Sequence, residues 1–137
     1  MKTIVLKGRK VYGGVAEGQA LVSKSGIALC AGVDPHTGEI TERGHHLRGQ
    51  NVAGKILVLP FGKGSSAFSK FAYGLKLAGK APLAWIIRDI NPQTALASLA
   101  MRIPAVTALD SDPIEAIADG DRVRVDGDAG TVEVFKS

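Results

Sequence analysis

A short stretch, residues 62–66, has the residue types needed to bind an anion or to move a proton. It is GKGSS and stands between the apolar run KILVLP and an amphipathic pattern. Glycines let a ligand come close to the main chain, and free N–H groups at a helix start favour an anion. Lys63 adds a full positive charge. The stretch predicts a site for a carboxylate, a phosphate or a developing negative charge, although serine is also a common N-cap that needs no ligand.

Ser65 is the candidate proton acceptor of this stretch, but a serine hydroxyl requires activation. A helix N-terminus stabilises a nearby negative charge by roughly 0.3–1 kcal/mol, and by about 2 kcal/mol at most. Since one pKa unit corresponds to about 1.36 kcal/mol, the helix alone is too weak to ionise the hydroxyl. Further positive charge must come from Lys63 or from a partner. The lysine does not stand directly before the serine, so the stretch is not a Walker A motif.

The remaining candidates for chemistry form weaker patterns. His36, His45 and His46 all lie in the long connection 34–54, where we expect solvated side chains, and His45 is kept as a reserve site residue. The late aspartates fall at predicted caps and turns. Cys30 is the single cysteine, so this chain alone cannot form a disulfide or a thiolate cluster. Its apolar surroundings predict a buried, inert thiol, and no pattern predicts a metal site.

Composition argues against several classes of protein. Of the 137 residues, 45% are hydrophobic, which suits one domain over residues 1–137. The 17 basic and 13 acidic residues are scattered and aromatic residues make up 5%, so no nucleic-acid partner is expected. No stretch approaches the about 20 apolar residues of a membrane span, and the N-terminus has no leader pattern. These features predict a cytoplasmic protein without a membrane partner.

Two patterns divide the elements that must position the stretch. Before residue 60, β-branched runs separated by glycine predict short strands in a compact sheet or small barrel: KTIVLKGRKVYGG, GQALVSKS, GIALCAGV and GKILVLP. Residues 34–54 predict an exposed connection between the last two runs. After residue 60, helical and strand patterns alternate, which implies parallel strands joined by helices. The predicted class is α/β, with a mostly β N-terminal half.

The second half also carries signals for helix ends and turns. A helix is predicted over 66–79, closed by its final glycine. The next helix has Asn91 as N-cap and Pro92 at its first position. Its predicted packing residues are Leu96, Leu99 and Ala100. A short helix follows within 112–120, and the chain ends in a hairpin around 127–128.

Several ordered motifs together resemble one known family. They are GRKVYGGVAEGQALVS, AGVDPHTGEI, GKILVLPFGKGSS, GKAPLAWII and IPAVTALDSDPIEAIADGDRVRVDG. Their succession, from about residue 8 to 127, is similar to the small, swivelling-domain subunit of the aconitase-X dehydratases. A set of motifs in this order and spacing is far more specific than any one of them.

The resemblance implies a swivelling β/β/α fold and a hydro-lyase whose active site lies between a large subunit and this small one. Ser65 matches the first serine of the family's Gly-Lys-Gly-Ser motif and is thereby implied to be the proton acceptor. Lys63, Gly64 and Ser66 would bind a small anionic substrate. An iron–sulfur cluster is implied in the large subunit, with no cofactor bound by this chain alone. The implied reaction is proton abstraction next to a carboxyl group, followed by loss of hydroxide.

Two positions depart from the family pattern. Ala31 stands where a Gly-Gly-Val-Asp-Pro run is expected, and His45, His46 and Leu47 stand where His-Pro-Leu is expected. The family includes dehydratases of cis-3-hydroxy-L-proline and of mevalonate 5-phosphate. The alanine-rich, lysine-moderate composition favours the hydroxyproline substrate.

Two other functions remain open at this stage. Mobile phosphohistidine carrier domains have a related swivelling architecture, but no histidine lies near the start of the helix after residue 66. His45 or His46 would have to be the phosphorylated residue. A non-catalytic interaction domain is the other alternative, with the GKGSS stretch acting as a helix cap and nothing more.

Overall fold

The computed structural model describes residues 2–64 and 67–136, which form ten strands and three helices. The strands are β1 Lys2–Lys7, β2 Arg9–Tyr12, β3 Val15–Val22, β4 Ile27–Ala28, β5 Ile56–Leu59, β6 Gly62–Lys63, β7 Ala84–Ile87, β8 Ala105–Thr107, β9 Arg122–Asp126 and β10 Thr131–Lys136. The helices are α1 Phe68–Leu77, α2 Pro92–Met101 and α3 Pro113–Ala116. Within the described ranges, no helix combines the length and the apolar character that crossing a bilayer requires.

Eight of these strands form one mixed sheet in the order β1-β10-β9-β3-β5-β7-β8-β2, while β4 pairs with β6 separately. Strands β1, β10, β9 and β3 are antiparallel neighbours, whereas β3, β5, β7 and β8 run parallel. The parallel pairs β5–β7 and β7–β8 are connected through α1 and α2. The predicted α/β class, with a mostly β first half, is therefore confirmed.

Strand β5 is buried on both faces of this sheet. Side chains alternate along a strand, so Ile56 and Val58 enter one core while Leu57 and Leu59 enter another. The first core also contains the valines of β9 and β10, and the second contains the inner faces of α1 and α2. The chain thus forms three layers: antiparallel strands, parallel strands and helices.

Helix α2 turns a different face to the core than its hydrophobic pattern predicts. The predicted inward packing of Leu96 and Leu99 is wrong, because each side chain is 56% exposed. The polar residues Thr94 and Ser98 are buried instead. Ser98 Oγ donates to the Thr94 carbonyl at 2.8 Å and accepts from Trp85 Nε1 at 2.8 Å. A hydroxyl with such partners is buried at little cost, which allows the small polar face to lie inward.

The helix ends agree with their local signals in two helices and differ in the third. Asn91 caps α2 as predicted, and Gly79, with φ of +70°, follows α1. The predicted closure of α3 at Gly120 is wrong, because the helix ends at Ala116. Ile117 adopts an extended backbone there, and its side chain is 2% exposed within the core. Burial of this side chain ends the helix early.

Two strand runs of the first half differ in extent from their patterns. The run 2–14 divides at Gly8 into β1 and β2, which lie at opposite edges of the sheet. A Cβ at Gly8 would stand 2.4 Å from the Thr107 carbonyl oxygen, so glycine is required where the chain crosses between the edges. The run 26–33 contributes only the two residues of β4.

The long connection 34–54 is exposed at charged residues such as Glu39, Arg43 and Arg48, as predicted, but it is also anchored in the core. Ile40 and Val52 are fully buried and Leu47 is 5% exposed, and all three belong to the core beneath the helices. A bridge between Val33 and Ile40 and a second one between residues 39 and 51 hold the segment in place. The sequence pattern did not indicate this anchoring, for which three apolar side chains are enough.

Ala31 offers a test of backbone strain in this fold. Its φ is +66°, in the left-handed region, at the position where the family pattern has glycine. A Cβ there destabilises the folded state by roughly 1–2 kcal/mol. Glycine has an opposing effect of about 0.4–1 kcal/mol, because it gives the unfolded chain more conformational freedom. We expect Ala31→Gly to raise the free energy of unfolding by about 0.5 kcal/mol in urea denaturation. The control Ala95→Gly, inside α2, should lower it by about 1 kcal/mol; a loss in both variants would contradict strain at Ala31.

Candidate functional site

The carboxyl ends of the parallel strands gather the candidate residues at one edge of the sheet. Ser23 follows β3, residues 60–64 follow β5, and residues 88–91 follow β7. Main-chain N–H groups of Arg88 and Asp89 donate to the carbonyls of residues 59 and 60, at 3.0 and 2.8 Å. The segments after β5 and β7 are therefore neighbours. Ligands of open α/β sheets usually bind at this edge.

The Gly-Lys-Gly stretch is held closely by the protein around it. Gly62 and Lys63 form β6, which pairs in parallel with Ile27–Ala28 of β4. Neither Gly62 nor Gly64 has a positive φ, so a left-handed backbone is not the reason for glycine at these positions. A Cβ at either position would approach the buried ring of Phe68 to 2.7 Å. Glycine is needed here because the stretch packs directly on that ring.

Ser65 and Ser66, the predicted proton acceptor and substrate contact, lie outside the described residues, as does the predicted helix start at Ser66. The described part of α1 begins at Phe68, with Ala67 in the N-cap position, and its first turn has no acidic residue. By contrast, side chains of Asn91 and Asp112 cap α2 and α3. The positive end of α1 therefore carries no negative side chain in its own first turn, which suits an incoming anion.

Lys63 is paired with a carboxylate that the sequence analysis did not select. Its ammonium group donates to Glu42 Oε2, and Glu42 Oε1 accepts from the Ala28 N–H at 2.9 Å. Burial raises the pKa of the Glu42 carboxyl, but Lys63, the Ala28 amide and the charge of His45 together bring this pKa below its ordinary 4.5. Glu42 is therefore ionised at neutral pH. The positive charge of Lys63 is compensated within the chain before any substrate arrives.

The other side of the stretch is held by Asn91. Asn91 Nδ2 donates to the Gly62 carbonyl at 2.9 Å, while Asn91 Oδ1 accepts from the Thr94 N–H at 2.9 Å. One side chain thus caps α2 and fixes the loop after β5. The sequence analysis assigned only the first of these roles.

His45 is buried, with 8% of its surface exposed, so its predicted solvation is wrong. Its Nδ1 accepts from the Leu47 N–H at 3.0 Å, which assigns the proton to Nε2. Nε2 lies 3.0 Å from Ser23 Oγ, and Ser23 Oγ in turn donates to the Ser25 carbonyl. Burial lowers the pKa of His45, the charges of His46 and Lys63 lower it further, and Glu42 opposes them.

This geometry gives the Ser23–His45 pair a structural function. A general base needs an unprotonated ring nitrogen facing the hydroxyl, but here the nitrogen that faces Ser23 carries the proton. Both ring nitrogens of His45 are engaged within the protein, which also argues against its phosphorylation. His46 is exposed and stacks on His45 with ring centroids 4.9 Å apart, and its Nε2 accepts from the Lys24 N–H. His36 is exposed as expected.

Cys30 is partly exposed and not fully buried, in contrast to the prediction. It is the chain's single cysteine and cannot supply the ligand set of an iron–sulfur cluster. Among the described residues, no three His, Cys, Asp or Glu side chains form a group that could hold a metal ion. A cluster of this kind does not fit the residues of this chain.

Sequence reasoning missed two members of the site, Glu42 and Ser23. Both are polar residues in ordinary surroundings, and neither stands at a distinctive spacing from GKGSS. The signal that could have found Glu42 is an unpaired lysine in a loop, which requires a counter-charge from elsewhere. Nothing in the sequence identifies the segment that supplies it.

Comparisons with known proteins show which family the chain resembles over nearly its whole length. A sequence profile described as the aconitase X swivel domain matches residues 5–134. A protein of Methanocella arvoryzae named "Phosphomevalonate dehydratase small subunit" is 46% identical over 94% of this chain and 98% of its own length. A protein of Methanosarcina acetivorans with the same name is 42% identical over 99% of this chain and 94% of its own length.

A solved structure gives the same result at the level of the fold. The chain titled "Crystal structure of Thermococcus kodakaraensis aconitase X (holo-form)" superposes with a TM-score of 0.92 and 42% sequence identity. The superposition covers 97% of this chain and 99% of the solved one. The match therefore includes the three layers and the loops at the carboxyl edge of the parallel strands.

The lowered pKa of His45 predicts a dependence of stability on pH. As the pH falls through 6.5, the ordinary pKa of histidine, the unfolded chain takes up a proton on this ring before the folded chain does. Protonation therefore stabilises the unfolded state relative to the folded state. We expect the free energy of unfolding to fall between pH 7.5 and about 5.5. His45→Asn retains an acceptor for the Leu47 N–H without titrating, so it should flatten this slope in urea titrations at several pH values. A slope unchanged in the variant would refute the assignment.

Proposed function

Because the chain belongs to the aconitase X swivel-domain family, we propose that it is the small subunit of a two-subunit dehydratase acting on mevalonate 5-phosphate. Relatives of nearly its full length carry the name phosphomevalonate dehydratase small subunit. Those names support the lyase class, a large partner subunit and the substrate. The preference for cis-3-hydroxy-L-proline has no support among them.

The observation that carries this proposal is the position of the Gly-Lys-Gly stretch. It lies at the carboxyl edge of the parallel strands and leads to a helix whose first turn has no acidic residue. Main-chain N–H groups from Gly64 to Ser66 would meet a carboxylate or phosphate of the substrate. Ser65 directly follows the last described residue of the loop. A substrate anchored there would present its reacting carbon to that hydroxyl.

Ser65 is assigned the proton transfer in this proposal. Its alkoxide takes the proton from the carbon next to the substrate carboxylate, and the electron pair of that C–H bond forms the double bond as hydroxide leaves the neighbouring carbon. Lys63 contributes little net charge, because Glu42 already pairs with it. The alkoxide must therefore be stabilised by the start of α1 together with charges and water exclusion supplied by the large subunit.

The iron–sulfur cluster expected for the family belongs to the large subunit in this proposal. It would supply Lewis-acid chemistry at the leaving hydroxyl. The role of the small subunit is limited to binding the anion, orienting the substrate and holding the proton at Ser65.

Exposed apolar side chains beside the loop support a partner at this edge. Phe61 directly precedes Gly62, and Ile90 directly precedes Asn91, whose side chain bonds to the Gly62 carbonyl. Phe61 and Ile90 are 40% and 42% exposed. A large subunit that closes over the loop would cover both of them. Aromatic and aliphatic anchors of this kind carry much of the energy of an interface.

Ser65→Ala in the reconstituted enzyme tests the proton-transfer role. Loss of a positioned acid–base group should lower kcat by about 10²-fold or more. The affinity between the subunits should not change, because the substitution removes one oxygen atom. Turnover is measured as the dehydration of mevalonate 5-phosphate. Ser69→Ala in α1 is the matched control. Full turnover with intact assembly would favour the non-catalytic interaction domain.

The double variant Phe61→Ser/Ile90→Ser tests the partner surface. It should weaken binding to the large subunit about tenfold or more, which corresponds to about 1.4 kcal/mol, in a titration calorimetry experiment. Leu96→Ser/Leu99→Ser alters two exposed leucines on the outer face of α2 and should bind like the wild type. If the α2 variant is the weaker binder, the docking face is the helical layer and the assignment is overturned.

A further inference from the structure

We propose that Glu42 and Asn91 are positioning residues that fix the Gly-Lys-Gly stretch from two sides and thereby place Ser65 for proton transfer. This inference rests on the proposed function, because it assigns a role to residues around the same site. Neither residue is expected to touch the substrate. Both act through the main chain and the side chain of residues 62 and 63.

Glu42 spans the two strands of the small β4–β6 sheet. Residues 28 and 63 are paired partners in that sheet, and the two carboxylate oxygens of Glu42 bind the Ala28 N–H on one strand and the Lys63 ammonium on the other. The side chain of Glu42 is 16% exposed and that of Lys63 is 47% exposed, so water competes weakly for the bond to the Ala28 amide and more strongly for the ion pair. An exposed ion pair alone contributes little to stability. A carboxylate that also accepts from a main-chain amide is held in one orientation, because the hydrogen bond has a preferred geometry.

Gly32 provides the space that lets Glu42 reach this position. Its carbonyl accepts from the N–H groups of Thr41 and Glu42, at 2.9 and 3.2 Å. A Cβ on Gly32 would stand 1.8 Å from the Ala28 carbonyl oxygen and 3.0 Å from Glu42 Oε1. The segment that carries Glu42 is thus bound through its main chain to residue 32, shortly after β4, and the position of the carboxylate is set by the fold.

Among the good N-cap residues, asparagine alone carries its hydrogen-bond acceptor and its donor on two different side-chain atoms. Serine, threonine and aspartate accept from the N3 amide as well as asparagine does. A hydroxyl has both functions on one oxygen, whereas the amide accepts with Oδ1 and donates with Nδ2, which Asn91 directs to the Gly62 carbonyl at 2.9 Å. The capping role therefore explains a polar residue at position 91, and the bond to Gly62 explains asparagine.

Together the two side chains hold consecutive residues through separate contacts. Gly62 is held through its carbonyl and Lys63 through its ammonium, two residues before Ser65. A displacement of about 1 Å at a reacting group costs on the order of 10²-fold in rate. Loosening either contact should therefore slow the chemical step and leave the binding of substrate nearly unchanged.

Steady-state kinetics of the reconstituted enzyme test this inference. Glu42→Gln, Asn91→Asp and Asn91→Ser should each lower kcat by roughly 10- to 100-fold with little change in KM. Aspartate and serine both keep the cap of α2, and both lack the amide N–H that reaches the Gly62 carbonyl. Only aspartate adds a charge. A loss of kcat common to both variants therefore reports the missing amide donor. Glu17→Gln removes the same charge from the remote ion pair with Arg122 and is the matched control. Wild-type kcat in the Glu42 and Asn91 variants would overturn the proposal.

A second measurement on the small subunit alone separates this inference from the proposed function. Backbone ¹⁵N order parameters of Lys63 and Gly64 should fall from about 0.85 toward 0.6 in the Glu42 and Asn91 variants, with urea stability and the β9–β10 hairpin unaffected. Reduced kcat with unchanged order parameters overturns the positioning role. If the wild-type assembly fails to dehydrate mevalonate 5-phosphate, the proposed function is lost, and the order parameters still decide whether these side chains fix the loop.

Discussion

The burial of β5 and β7 on both faces is the constraint on which the rest of the molecule depends. Every side chain in Ile56–Leu59 and Ala84–Ile87 is at most 1% exposed. Strands of this kind require a cover on each side, and the chain supplies helices on one side and an antiparallel layer on the other. Because both faces are covered, the loops that follow these strands can extend only beyond the carboxyl edge of the sheet. The candidate site lies in these loops, where the packing of the three layers places fewer demands on the residue types.

The described residues of the loop at that edge are held by their neighbours, and neither of its glycines has a positive φ. Gly62 and Gly64 are small so that the stretch can lie against the ring of Phe68. Glu42 neutralises the lysine between them. The described part of the site therefore offers main-chain N–H groups and a helix start, with little net charge of its own. Such a site is electrostatically incomplete as an isolated chain, which fits a protein that works as one half of an enzyme.

Local signals allowed much of the fold to be predicted, and long-range contacts account for the rest. Asn91 was found as an N-cap because a cap is decided by its own few residues. The inward face of α2 was not predicted, because the burial of Ser98 depends on a hydrogen bond from Trp85 on another element. Hydrophobic periodicity within the helix carries no information about such a contact. His45 and Glu42 belong to a polar segment whose path depends on a few buried aliphatic side chains. The bond between Lys63 and Glu42 joins residues 21 positions apart, so the sequence gives no register for it.

The pairing of β1 with β10 joins the two ends of the chain, with Lys2 opposite Lys136. During synthesis on the ribosome, β1 and β3 emerge long before the strands that cover their inner faces. The core around Ala20 and Val22 stays incomplete until residues 122–136 have left the exit tunnel, because β9 and β10 supply four of its valines. Closure of the sheet therefore needs pairings that span nearly the whole sequence, and contacts of such long range form slowly. A nascent chain that stalls before that point presents an open, apolar sheet face to chaperones.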